Sequence, residues 1–245
     1  MSVIQLGTGG SDLPPTPAAD AFSSNLVLAL PLNINYGFQD KSSKIRGSGT
    51  SYRTNNIRCS LNFDESKFYG SSLLGGPPNS STQRLFTSTS IPAFGTSDFC
   101  IEGWAFIPSI GTIGNLNLFY NHNDTNNGFQ VLFLGANPIP PQCIYFGGGA
   151  GSDAAHTGAS SFPLNQWVHY AVTRQGSTLR IFINGVDSIV FGGTITGNYT
   201  GSFEANIANG GDTNYNTIRL QDLRVYQGIA KYTTNFTPPG AMFVY

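Results

Sequence analysis

From Phe22 onward the chain sustains no helical period; its apolar residues come in short runs cut off by Gly, Pro, Asn and Ser. Runs of that length bounded by turn signals read as β-strands. Residues 25–32 (NLVLALPL) open the series, and residues 58–63 (RCSLNF) alternate, with Cys59, Leu61 and Phe63 in phase on one face. Residues 99–107 (FCIEGWAFI) are apolar at both parities, which predicts a central strand covered on both sides. Residues 129–134 (FQVLFL) and 143–146 (CIYF) read as neighbours joined through Pro138, Pro140 and Pro141. The clearest signal is 167–174 (WVHYAVTR), a turn at Gln175-Gly176-Ser177, and the returning strand 179–183 (LRIFI). Asn184-Gly185 follows, a pair suited to a type I′ hairpin because both residues tolerate positive φ. In 218–226 (IRLQDLRVY) the apolar phase slips between Leu220 and Leu223, which predicts a bulge or a crossing between sheets. The one stretch of helical length, 66–74, is broken by Gly70.

Without an internal repeat, these strands predict a single all-β domain, a two-sheet antiparallel sandwich over residues 22–245. Residues 1–21 read differently. Gly7, Gly9, Gly10, Pro14, Pro15 and Pro17 preclude a packed helix and predict an extended arm. Fully extended, such an arm reaches roughly 66–72 Å, enough to cross onto a neighbouring subunit.

Composition narrows the function. Charged residues make up 10% of the chain, against roughly 25% in an average soluble domain, and 12 basic residues face 13 acidic ones. No basic stripe marks a nucleic-acid or anionic-lipid surface, since Lys41, Lys44 and Arg46 sit beside Asp40. No apolar run nears the ~20 residues that span a bilayer. The opening MSVIQLGTGGSDLPPTP lacks the basic and apolar regions of a signal peptide, so synthesis in a host cytoplasm is expected. Cys59, Cys100 and Cys143 are odd in number and unrelated in spacing, which predicts buried free thiols.

The series NLVLALPLN, SLNFDESKF, SDFCIEGWAFI, NQWVHYAVTRQGSTLRIFINGV and IRLQDLRVYQGIAKYTTNFTPP resembles the concanavalin A-like lectin/glucanase superfamily, in its laminin-G-like jelly-roll branch. The resemblance implies a jelly roll whose curved concave face and rim loops are free for contacts. The ending DLRVYQGIAKYTTNFTPP resembles endings in phage tail and virion proteins. It implies a non-enzymatic virion structural protein, exposed on the particle as a capsid decoration or tail-associated subunit. Its expected partners are other virion proteins, met through the arm and the sandwich faces, and further copies of itself in a homo-oligomer. The alternative is a glycan-binding adhesin that contacts host surface polysaccharide. Within the same ending, Tyr232 and Phe236, stopped by Pro238 and Pro239, are expected to clasp the first strand and close the sandwich edge.

A polysaccharide hydrolase is the least favoured reading. Retaining hydrolysis needs two carboxylates about 5–5.5 Å apart, and alternation would place a Glu-x-Asp pair on one strand face. Here Glu102 and Glu204 each stand alone in their strands, and Asp64-Glu65 would point opposite ways. Relatives of the implied fold hold Ca²⁺ on rim loops; the candidate ligands here are Asp124 and Asp212, one carboxylate per loop in 121–127 (NHNDTNN) and 206–216 (NIANGGDTNYN). No cofactor is required on this reading. The same loops carry the carbohydrate candidates His122, Asn123, Asp124, Asn126, Asn127, Asp212, Asn214 and Tyr215, a mixture of amides, carboxylates and rings that suits sugars. His169 is expected to be a hydrogen-bonded structural residue, and Trp104 and Trp167 to be core.

Overall fold

The computed structural model describes residues 19–33, 35, 38–42, 59–68, 70–75, 85–86, 90–109, 115–121, 128–135, 142–148, 156–158, 162–202, 205–210 and 217–241. In chain order the strands are β1 (Leu26–Leu30), β2 (Ser60–Asn62), β3 (Ser72–Gly75), β4 (Leu85–Phe86), β5 (Phe99–Phe106), β6 (Asn115–Tyr120), β7 (Phe129–Leu134) and β8 (Cys143–Gly148). They continue with β9 (His156–Gly158), β10 (Trp167–Gln175), β11 (Thr178–Ile183), β12 (Val186–Asp187), β13 (Ile189–Phe191), β14 (Asn206–Ile207), β15 (Asn209–Gly210) and β16 (Ile218–Gln227). Two antiparallel sheets result. The first runs β12-β11-β10-β5-β16-β3-β2, with β1 also on β16; the second runs β13-β9-β8-β7-β6-β14-β4, with β15 also on β6. This is the expected jelly-roll sandwich.

The core lies between the sheets. Phe99, Ile101, Val168, Val172, Leu220 and Val225 from the first sheet meet Phe129, Val131, Phe133, Ile144 and Phe146 from the second. Phe99 stacks on Phe129 at 5.0 Å, 8° from parallel. The slip in the last strand is a bulge between Gln221 and Arg224, where Asp222 takes φ 53°. The bulge keeps Leu220, Leu223 and Val225 all in the core. Cys59, Cys100 and Cys143 are free thiols, as expected. Burial pushes Cys59 up to about 12 and Cys143 up to about 11.

Two expectations are corrected. Phe63 is 61% exposed rather than in phase with Leu61. The strand ends at Asn62, whose Oδ1 accepts from Asp64 N and Glu65 N and so starts a turn. The ending does not simply clasp the first strand. Tyr232 packs against the cluster of Leu26, Ala29, Cys100 and Tyr226, but the segment then crosses the outward face of the first sheet. Tyr232 and Phe236 stack at 3.5 Å, Phe236 packs on His169 and Phe182, and Phe236 N donates to Gly185 O at 2.9 Å. The outward side of β10 and β11 meets it with rings at His169 and Phe182 and with Thr173, whose Oγ1 donates to Tyr232 O at 2.9 Å.

Beneath that segment lies a closed charge network. In β5 the inward positions Phe99, Ile101 and Ala105 alternate with outward Cys100, Glu102 and Trp104. Glu102 is fully buried. Lys231 Nζ donates to its Oε1 at 2.7 Å, Tyr232 Oη donates to Oε2 at 2.7 Å, and Arg224 Nη1 lies 3.2 Å from Oε1. Tyr226 Oη sits 2.9 Å from Glu102 Oε1 and 2.5 Å from Asp20 Oδ2, while Arg224 Nη2 donates to Asp222 at 2.8 Å. Glu102 therefore does not stand alone; Asp20, at the edge of the arm, and Asp222, in the bulge, join it. Burial raises the Glu102 carboxyl, but Arg224, Lys231 and His169 together hold it well below the usual carboxylate range. His169 is in a cage of rings rather than hydrogen-bonded. Its Nε2 lies 3.3 Å from Glu102, neither ring nitrogen has a hydrogen-bond partner, and Trp104 and Phe236 meet it edge-on. Burial lowers its pKa.

Both shifts point the same way. A depressed pKa contributes stability that is present above the unfolded value and lost as pH falls through the folded one. Melting temperature should therefore hold above pH 6.5, begin to fall below it as His169 resists protonation, and fall faster below 4.5 as Glu102 protonates. Glu102→Gln removes the carboxylate closest to Lys231 and leaves Arg224 and Lys231 to share Asp222 and Asp20, and should cost about 3–5 kcal/mol by urea denaturation at pH 7. A second variant tests the tail. Asn184 and Gly185 form the expected turn with φ 49° and 78°, and a Cβ on Gly185 would strike the Phe236 carbonyl. Gly185→Ala should lower the unfolding free energy by roughly 1–3 kcal/mol, read as a lower urea midpoint with an unchanged slope.

Candidate functional site

The sandwich has two outward faces, and the first is occupied by its own chain. Tyr232 and Phe236 cover one half of it. Over the other half runs the segment 65–71, pinned by the Gln221 side chain, whose Oε1 accepts from Lys67 N and Phe68 N and whose Nε2 donates to Phe68 O and Ser71 O. Trp104 lies beneath it, with Phe68 edge-on at 5.8 Å and Lys67 Nζ 4.0 Å above the ring. Trp104 and Trp167 thus belong to this covered outward face, beside His169 and Phe106, and not to the core between the sheets. This face is closed, and the Glu102 carboxylate with it.

The second sheet presents the other outward face. Phe129, Val131 and Phe133 of β7 point inward, leaving Gln130, Leu132 and Leu134 outward; Ile144 and Phe146 of β8 point inward, leaving Cys143, Tyr145 and Gly147 outward. An irregularity between Asn117 and Phe119 turns both Asn117 and Tyr120 of β6 outward. Register aligns these residues across the sheet. Asn206 pairs Tyr120, Tyr120 pairs Gln130, and Gln130 pairs Gly147. The next row is Asn117, Leu132 and Tyr145. Asn117, Tyr120, Gln130 and Tyr145 are half-buried. Burial raises the Tyr145 hydroxyl pKa, so the ring is a neutral phenol.

All eight carbohydrate candidates from the sequence, His122, Asn123, Asp124, Asn126, Asn127, Asp212, Asn214 and Tyr215, lie outside the described residues, as does Glu204. Their attachment points are fixed. Residues 122–127 leave from Asn121, which closes the β6–β7 hairpin by donating its backbone N–H to Phe129 O and by taking Phe129 N on its Oδ1. Residues 211–216 leave from Gly210, paired with Leu116 at the opposite end of β6. Leu116 and Tyr120 are four strand steps apart, roughly 13 Å. The points from which the two segments depart therefore stand at the two ends of β6. Among the described residues no group of three His, Cys, Asp or Glu side chains could hold a metal. The expected Ca²⁺ ligands Asp124 and Asp212 lie outside the described residues.

Sequence reading missed Tyr120, Gln130, Tyr145 and Asn117. Their signal was parity: in FQVLFL and CIYF, Gln130 and Tyr145 interrupt an otherwise apolar alternation. Asn206 and Gly147 needed the cross-strand register.

The pattern of the concanavalin A-like lectin/glucanases superfamily, in its laminin-G form, matches residues 79–230. A search of curated protein sequences returned no match. Among solved structures the chain resembles the binding domain of Paraclostridial Mosquitocidal Protein 1 (TM-score 0.60, 15% identity, 84% of this chain and 49% of that one). It also resembles botulinum neurotoxin type C, described as interacting with two ganglioside molecules (0.60, 14%, 84% and 48%). A third is the botulinum neurotoxin serotype G binding domain (0.58, 16%, 85% and 49%). The chain spans about half the length of each, and at these identities the likeness is one of fold. With the matched pattern covering more than half of the chain, the protein belongs to the concanavalin A-like lectin/glucanase superfamily.

Proposed function

We propose that this chain is a non-catalytic carbohydrate-binding domain that holds glycans on the outward face of its second sheet and the two loops that leave the ends of β6. One observation carries the reading. The first sheet's face is covered by the protein's own segments, whereas the second presents half-exposed amides and phenols between the points where two Asn-rich segments depart. Carboxamides both donate and accept hydrogen bonds, and rings offer apolar area, the pairing that a sugar's polar edge and apolar face require. Glu102, the carboxylate a hydrolase reading would use, is walled in by Arg224, Lys231 and Tyr232. The lectin members of the superfamily and a fold neighbour that interacts with gangliosides support the same class of ligand.

Placement on a phage virion, as a decoration or tail subunit and in a homo-oligomer, is a separate proposal resting on the ending. Its weight is reduced because the signature residues Asp222, Arg224, Tyr226, Lys231, Tyr232 and Phe236 are all used in closing the first face. Immunolabelling of purified particles tests it: label on particles supports it, and label confined to the soluble fraction contradicts it.

For the glycan reading, surface plasmon resonance over immobilised lipopolysaccharide and a glycan array should give saturable binding. Asp124→Ala or Asp212→Ala should weaken it, and EDTA should do so if either loop holds Ca²⁺. Prolonged incubation should release no reducing ends. Absence of saturable binding, or release of reducing ends, would overturn the proposal.

A further inference from the structure

Tyr145 lies two residues before Gly147 on the outward side of β8, and its ring rests on the glycine. A Cβ built on Gly147 would come within 2.6 Å of Tyr145 Cε1, 3.0 Å of Oη and 3.1 Å of Cζ. Real side chains do not approach so closely, so the ring occupies the space a side chain at 147 would take. The missing Cβ lets the phenol lie along the sheet where it would otherwise stand away from it. A ring laid down this way offers a broad apolar surface in a polar neighbourhood.

The neighbourhood is uncharged. Asn115–Tyr120 (NLNLFY), Phe129–Leu134 (FQVLFL) and Cys143–Gly148 (CIYFGG) contain no Asp, Glu, Lys, Arg or His. A site for an anionic sugar would be expected to supply a cation to meet the carboxylate. Two acceptors on this face also lack donors. Asn206 is only 9% exposed, and its buried Oδ1 has no hydrogen-bond partner; the Oδ1 of Asn117 is in the same position. Both oxygens are closed to solvent, so a ligand meets them only after the side chain turns outward. Asn206, Tyr120, Gln130 and Gly147 form one row over four strands, roughly 14 Å from end to end.

We propose that Tyr145, seated on Gly147, is the stacking platform for a neutral, hydroxyl-rich polysaccharide whose chain crosses the strands along the row to Asn206. This rests on the glycan-binding reading and names its ligand class and its central residue. The ring supports the apolar face of one sugar unit, while the half-exposed Gln130 and Asn117 side chains exchange hydrogen bonds with hydroxyls. Uronic-acid polymers fall outside the site's chemistry because nothing on the strands neutralises them.

Affinity gel electrophoresis tests it with soluble β-glucan, galactomannan and galactan as neutral probes and alginate and polygalacturonate as acidic ones. At least one neutral polymer should retard the protein and the acidic ones should not. Tyr145→Ala and Gly147→Val should each weaken retardation about tenfold, and Tyr145→Phe should recover most of what Tyr145→Ala loses. Melting curves of the variants show whether they fold; if Tyr145→Ala does not, Gln130→Ala with the same readout decides. Retardation that survives Tyr145→Ala and Gln130→Ala but is lost in Asp124→Ala or Asp212→Ala would sink this inference and leave the glycan reading standing. Retardation by acidic polymers alone would do the same. No retardation by any polymer, with none on the array, would overturn both.

Discussion

Taking a carboxylate fully out of water costs several kcal/mol unless charges and donors surround it. Glu102 is taken out of water in the middle of β5, the strand on which the first sheet is centred. Its partners come from different parts of the chain: Arg224 from the bulged last strand, Lys231 and Tyr232 from the segment beyond it, and, through Tyr226, Asp20 from ahead of the first strand. Satisfying one carboxylate thus draws both ends of the described chain onto a single face. Arg224 and Lys231 each meet more than one carboxylate of the group, so the members hold one another and the face is closed by a shared network. Whatever the protein binds is left to the opposite sheet and the loops at its ends.

That division explains why the two outward faces look so different in composition. The first uses charged and large aromatic side chains, nearly all spent on each other. The second uses Asn, Gln, Tyr and Gly, which leave the sheet polar without charge. Strands β6, β7 and β8 carry no charged side chain, the character on which the proposed hydroxylated ligand rests.

Much of the fold was legible because strands announce themselves through short-range signals. The hairpin around Gln175-Gly176, the Asn184-Gly185 turn, the pairing of 129–134 with 143–146 and the bulge after Leu220 all follow from parity and turn chemistry. What was not legible depends on contacts distant in sequence. Glu102 looks alone because Tyr226 and Lys231 stand 124 and 129 residues away. Trp104 looks like core because parity gives a strand two faces without saying that chain ends will cover one. Gly147 looks unremarkable until register sets it in one row with Gln130 and Asn206, and Tyr145 until it falls in the next row with Leu132 and Asn117. The residues of the closing motif also hold the first face shut, a packing role that shows only once Asp222, Lys231 and Phe236 meet their partners.

The central claim is that ligand meets the second sheet and not the first. Hydrogen–deuterium exchange followed by mass spectrometry, with and without a saturating neutral polysaccharide, reads this directly. The account predicts slowed exchange in peptides covering 115–121, 128–135 and 143–148, with 99–106, 167–175 and 218–232 unchanged. Protection concentrated in those latter segments would mean that the closed face opens to receive ligand, and would contradict the account.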